Sequence, residues 1–201
     1  MARTICDCRA IPPRLPFASA GSVSPSRPAS GPTNSTSIPS RSQEVEASLS
    51  SLPTPLRIAV LATVDTALEL HPAGGATVSL VLGNMVGQDR FAVGAYPERT
   101  VELTTPPMWE SLVAFVFLNL DLLLRRNHAL GTWFNKANGR HVLDVVVCLR
   151  TERTALELAA AYSQVSIFHL ANCREIRLAG PPRYESFTPA ELLRALETEG
   201  Q

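Results

Sequence analysis

Near residue 55 the chain changes character, and that change decides where a fold can form. Seven prolines lie between positions 12 and 39, among many serines and glycines and with no apolar period of two or 3.6 residues. Such a segment buries too little apolar surface to offset its ordering entropy. Residues 1–53 are therefore expected to be a disordered Ser/Pro/Arg-rich tail with few contacts to the core. Two rival readings are an organellar transit peptide, suggested by five arginines (3, 9, 14, 27, 41) and few acids, and a start set upstream of the true one. Residues 54–201 carry regular turn signals and apolar periodicity. They are expected to form one small α+β domain of β-hairpins, in a mixed or antiparallel sheet, with about three to four helices.

The element signals run in order. Thr54-Pro55 opens a helix as N-cap and first helical residue, reaching about Leu70 before His71-Pro72-Ala73-Gly74-Gly75; β-branched content makes a strand over 57–64 its rival. Thr77–Leu82 and Arg90–Ala95 read as strands that pair as a hairpin, and Arg99–Thr104 as a third extended piece. Thr105-Pro106-Pro107 opens a helix running through Trp109 to Arg125-Arg126. Leu130–Phe134 and Arg140–Leu149 form the clearest hairpin, since Asn138-Gly139 supplies the positive φ of its turn. Thr151 caps a helix to about Tyr162, and Val165–Leu170 pairs with Glu175–Leu178. Thr188-Pro189-Ala190-Glu191 is a capping box that starts a last helix, with Phe187 placed to staple onto Leu192.

Composition narrows the function. Lysine and arginine total 18 against 18 acids, so the formal net charge is zero and no basic stripe is visible. Phosphate neutralisation drives duplex affinity, which disfavours nucleic-acid binding by the folded part and leaves the Arg-bearing tail as the segment for it. Cys6, Cys8, Cys148 and Cys173 are too scattered for a disulfide framework and fit a reduced compartment. The most apolar run, Leu112–Leu124, is thirteen residues and contains Asn119 and Asp121, short of the roughly 20 a membrane span needs.

Motif chemistry is sparse. The chain has no phosphate-binding G-x4-G-K-[ST], no G-x-G-x-x-G, no G-x-S-x-G and no H-E-x-x-H. No cofactor is expected. His169 and Cys173 have an i, i+4 spacing but lack the further ligands zinc requires, so no metal is expected either. His141 and Asp144 invite a base–orienter dyad, yet positions three apart on a strand point to opposite faces. Asp144 is the most unusual core residue, a carboxylate inside the run Val142–Leu149, and its expected partners are Arg140, Thr132 or a neighbouring amide. A small hydrolase or nuclease would use Asp144, His141, Arg140 and Arg99. Trp133 and Phe134 adjoin at the hairpin rim, where strand alternation exposes one of them and makes an interaction surface.

Several pieces then form one pattern: Gly74-Gly75-Ala76-Thr77-Val78, Phe91-Ala92-Val93-Gly94, Glu98-Arg99, Leu130-Gly131-Thr132-Trp133, Gly139-Arg140-His141-Val142-Leu143-Asp144-Val145, Gln164–Leu170 and Arg174-Glu175-Ile176. Over about residues 72–180 it resembles an uncharacterised small α+β domain of bacterial and phage or mobile-element proteins. That domain reads as a Gly-Gly-Phe-Thr-Val strand, a Gly-x-Trp to Leu-Asp-Val hairpin, and a Gln-x-Ala-Ile-x-Asp-Leu strand. Here Ala76 replaces the Phe and His169 the Asp. The resemblance implies a bacterial or phage cytoplasmic setting and transfers no activity. The function expected is a non-enzymatic accessory or adaptor role, through an unknown protein partner or a homo-oligomer.

Overall fold

The structure is a computed structural model that describes residues 41–178. The tail before residue 41 and the capping-box helix expected from Thr188 lie outside the described residues.

The packed region begins earlier than composition indicates. Helix α1, Arg41–Ser51, places Val45 and Leu49 in the main core, with Leu52 packed beside them. These residues recur at i, i+4 and i+7, which puts them on one helix face. Residues 41–53, assigned above to the tail, are therefore part of the fold. Two apolar contacts outweigh the polar composition around them.

Helix α2 spans Thr54–Leu70, so the rival strand over 57–64 does not form. Pro53 occupies the N-cap without a side-chain hydrogen bond, and Thr54 is the first helical residue instead of the cap. A 3-10 turn at His71–Ala73 and Gly74 (φ 127°) lead into strand β1, Gly75–Ser79.

The expected hairpin between 77–82 and 90–95 is not formed. The Ser79 hydroxyl accepts from the amides of Val81 and Leu82 at 3.2 and 3.3 Å, which turns the chain at once. The short strand β2, Gly83–Asn84, therefore pairs back on β1, and strand β3, Phe91–Gly94, joins the sheet elsewhere. After a 3-10 turn at Pro97–Arg99 comes strand β4, Val101–Leu103.

The helix expected from 107 to 126 is interrupted. Helix α3 covers Trp109–Leu118, and a single turn, α4, covers Leu120–Leu123. At the break, buried Asn119 leaves helical geometry (φ −118°, ψ 18°) and donates from its side chain to the Phe115 carbonyl at 2.8 Å. The side chain takes the acceptor that a continuing helix would use. Strands β5, His128–Asn135, and β6, Arg140–Leu149, form the predicted hairpin, with Gly139 at φ 69° in its turn. Helix α5, Glu152–Ala161, starts as expected under a hydrogen bond from the Thr154 amide to the Thr151 hydroxyl. Strands β7, Ser166–His169, and β8, Arg174–Arg177, close the chain's described part.

The fold is α+β. Among the described residues all strand pairs are antiparallel, in an 8-stranded sheet ordered β2-β1-β5-β6-β3-β7-β8, with β4 also against β6. Strand β6 is its axis. One edge pairs along the whole of β5; the other is shared by β4 at Val142 and its neighbours and by β3 from Val146 onward, leaving Asp144 and Val145 between them. One sheet face carries Leu130, Leu143 and Val145 into the core under α1, α2 and α3, while Val147 and Leu149 pack with α5. The opposite face buries a smaller set, Met85, Ala92, Ala129, Val146, Cys148 and Leu170. Among the described residues no helix is long and apolar enough to cross a membrane.

Candidate functional site

The singled-out residues converge on the turn-proximal end of the β5–β6 hairpin, and the pleat sorts them onto two faces. Paired positions share a face: Gly131 with Asp144 and Trp133 with Val142 on one, Thr132 with Leu143 and Phe134 with His141 on the other. His141 and Asp144 therefore point apart, as strand alternation requires, and form no dyad.

On the outer face Asp144 sits in the gap between β4 and β3. The Thr100 hydroxyl donates to Asp144 Oδ1 at 2.6 Å and the Trp133 indole N–H donates to Oδ2 at 3.1 Å. Both oxygens are engaged, and the partners are neither Arg140, Thr132 nor an amide. The residue opposite, Gly131, has to lack a side chain, because a Cβ there would stand 2.8 Å from Val146 Cγ1. The carboxylate so fixes the plane of an indole that is 41% exposed.

On the helix-covered face lies a hydrogen-bonded chain that sequence reasoning missed. The Ala76 amide donates to Thr132 Oγ1 at 3.2 Å; Thr132 Oγ1 meets His71 Nδ1 at 3.0 Å; His71 Nε2 meets His141 Nδ1 at 2.8 Å. One proton serves the contact between the two imidazoles, one ring donating and the other accepting. Protonating both rings would set N–H against N–H. Burial holds the His71 pKa below its ordinary value, and the neighbouring His141 lowers it further. The His141 ring in turn backs Phe134, with centroids 4.8 Å apart. Phe134 is also 41% exposed, so both rim aromatics reach the surface, not one.

The remaining candidates lie apart. Arg99 belongs to the 3-10 turn before β4. It donates to the Leu118 carbonyl and to Asn119 Oδ1 at 3.3 and 3.4 Å and pairs with Asp121 at 3.5 Å. With Val101, Phe115 and Leu118 it lines a cleft of about 380 Å³ between β4 and α3. Arg140 makes no side-chain hydrogen bond or ion pair among the described residues, and its register partner Asn135 puts it on the Trp133 face. His169 bonds Asp89 at 3.2 Å and stacks on Phe91, and no group of three or more metal-capable side chains occurs among the described residues. Burial pushes the Cys148 thiol up to about 12, against a smaller opposing pull from Arg90, so it stays protonated and inert near neutrality.

The chemistry at the rim is therefore that of a rigid display. Two aromatics are held from behind, one by a carboxylate and one by an imidazole, at the end of a hairpin whose turn is fixed by hydrogen bonds from Ala137 and Arg140 amides to Asn135 and Asn138 side chains at 3.0 Å each. Comparison with models of protein families, with curated proteins and with solved structures finds no match for this chain.

Proposed function

We propose that this chain is a non-enzymatic accessory or adaptor protein that acts through the rim of the β5–β6 hairpin, on a protein partner or on a second copy of itself. The observation that carries the reading is the equal, 41% exposure of Trp133 and Phe134, each ring seated by a dedicated polar neighbour. Aromatic side chains dominate binding energy at protein interfaces, and preorganising them lowers the entropy lost on docking. A hydrolase or nuclease reading draws less support. Asp144 has both oxygens committed, and His141 faces the other way.

The reading is tested with the full chain and its Trp133→Ala/Phe134→Ala variant, each compared by circular dichroism and then by light scattering, alone and after isolation from its host. The expected result is a mass above the 21.7 kDa monomer that reverts towards monomer in the variant. A strict monomer in every preparation, or an assembly indifferent to both substitutions, would overturn it.

A further inference from the structure

Strand β8 is the last strand on its side of the sheet, and its open edge carries a pattern that complements itself. Ser166 pairs with Arg177, Ile167 with Ile176 and Phe168 with Glu175, and among the described residues no strand pairs with the other edge of β8. One step along the same register, the Leu178 amide donates to the Val165 carbonyl at 3.0 Å. Bonded and non-bonded positions alternate along an antiparallel pair. Ile176 and Leu178 therefore turn their amides and carbonyls to β7, whereas those of Glu175 and Arg177 point to the open edge. The side chains of Glu175 and Arg177 share one sheet face, where they form an ion pair at 3.6 Å and are 49% and 82% exposed. Ile176 and Leu178 share the other face and pack with the apolar cluster of α5.

We infer that β8 pairs edge to edge with β8 of a second copy, about a two-fold axis at Ile176, so that the sheet continues from one chain into the other. Two independent requirements select this register. Outward-pointing backbone groups must meet outward-pointing groups, so the axis passes through a residue and not between two. An axis at Glu175 or at Arg177 would set that residue against its own copy, and like charges directly opposite are destabilising. An axis at Ile176 sets Glu175 opposite Arg177 of the second copy, twice over. The four charges then alternate in sign, and the two residue pairs exchange four backbone hydrogen bonds. Ile176 meets its own copy at the non-bonded position, where side chains approach closest. The other charge on the strand, Arg174, falls opposite Leu178 of the second copy and meets no like charge there. Edge charges of one sign repel an added strand; alternating signs admit one of matching alternation, which a two-fold axis supplies from the chain itself. The rim lies on β5 and β6, beyond β3 and β7, so this contact stands apart from the rim reading. One short strand offers less than the roughly 800 Å² per partner of a stable interface, so the pairing is expected to be weak and concentration-dependent.

The test is sedimentation equilibrium of the full chain over a wide concentration range, with folds checked by circular dichroism. The native mass is expected to rise with concentration towards twice the 21.7 kDa monomer. Glu175→Arg and Arg177→Glu each set like charges opposite one another twice, and each alone should weaken self-association roughly tenfold or more. An equimolar mixture of these two variants should restore it, and so should the double variant Glu175→Arg/Arg177→Glu. Recovery in the mixture is a result that a merely structural role for either side chain would not give. The same pattern is expected when the series is repeated with Trp133→Ala/Phe134→Ala, which sheds only what the rim holds, so the two readings fail separately. A strict monomer at every concentration, self-association indifferent to the charge variants, or no recovery in the mixture would overturn the inference. A chain that is monomeric by itself but gains mass from its host, and loses it on Glu175→Arg, would replace the second copy with a foreign strand.

Discussion

On the helix-covered face of β5 and β6, Leu130, Leu143 and Val145 lie no more than 1% exposed beneath three helices. On the opposite face of the same two strands, near the turn, Trp133 stays 41% exposed and its indole is tied to a half-buried carboxylate. Adjacent residues of one strand thus meet different surroundings. Where helices cover the sheet, side chains contribute stability through burial; where the described residues leave it open, the polar contacts orient and contribute little. The His71–His141 pair lies at the border. It is packed like core on one side and supports an exposed ring on the other.

That contrast orders the expected effects. Leu130→Ala should be the most damaging, at about 3 kcal/mol of unfolding free energy by urea titration, because a fully enclosed leucine loses its transfer energy and leaves a cavity. Gly75→Ala should come close, at roughly 2–3 kcal/mol. Its Cβ would stand 2.4 Å from the Thr132 carbonyl oxygen, and the residue sits at φ 144°, where side chains are strained. Thr132→Val keeps shape and deletes the hydroxyl that serves both the Ala76 amide and His71, so about 1–2 kcal/mol should go. An equal loss from Asp144→Asn would erase the contrast.

The border pair predicts a pH dependence. Since the folded pKa of His71 lies below its ordinary 6.5, the unfolded chain takes up that proton first as pH falls. Its contribution is therefore complete above about pH 6.5 and declines as pH drops towards the folded value. Urea midpoints from about pH 7.5 to 5 should fall more steeply for the native chain than for His71→Phe, histidine being the side chain that titrates there. Parallel slopes would show that the pair has no such role. The smallest effect belongs to the outer face. Asp144→Asn should change stability by less than about 1 kcal/mol, as exposed polar pairs do, while shifting the Trp133 indole N–H resonance.

The parts of this arrangement that were legible in sequence are those set by local rules. Asn138-Gly139 fixes the β5–β6 turn, Thr151 fixes the start of α5, and strand alternation alone separates His141 from Asp144. What was not legible depends on distant partners. Strand β1 pairs with β5, some fifty positions away, once Ser79 turns the chain, so proximity to β3 was a poor guide. Helix α1 was hidden by serines and glutamates; the spacing of Val45, Leu49 and Leu52 is the signal that marks it. Asn119 breaks α3 through a side-chain bond that composition does not announce. His71 looked like part of a helix stop, and only the fold brings it 2.8 Å from His141.

The central claim is that the buried stretch of the β5–β6 hairpin and its exposed rim divide stability from recognition, and one paired measurement tests it. Urea unfolding and light-scattering mass, the latter alone and after isolation from its host, are recorded for the native chain, for Leu130→Ala and for Trp133→Ala/Phe134→Ala. The account predicts that the aromatic pair can be removed with a stability change under about 1 kcal/mol and loss of association, whereas Leu130→Ala loses about 3 kcal/mol and, under conditions where it is still folded, keeps its association. If removing the rim aromatics unfolds the protein as far as Leu130→Ala does, or leaves association untouched, the division is wrong.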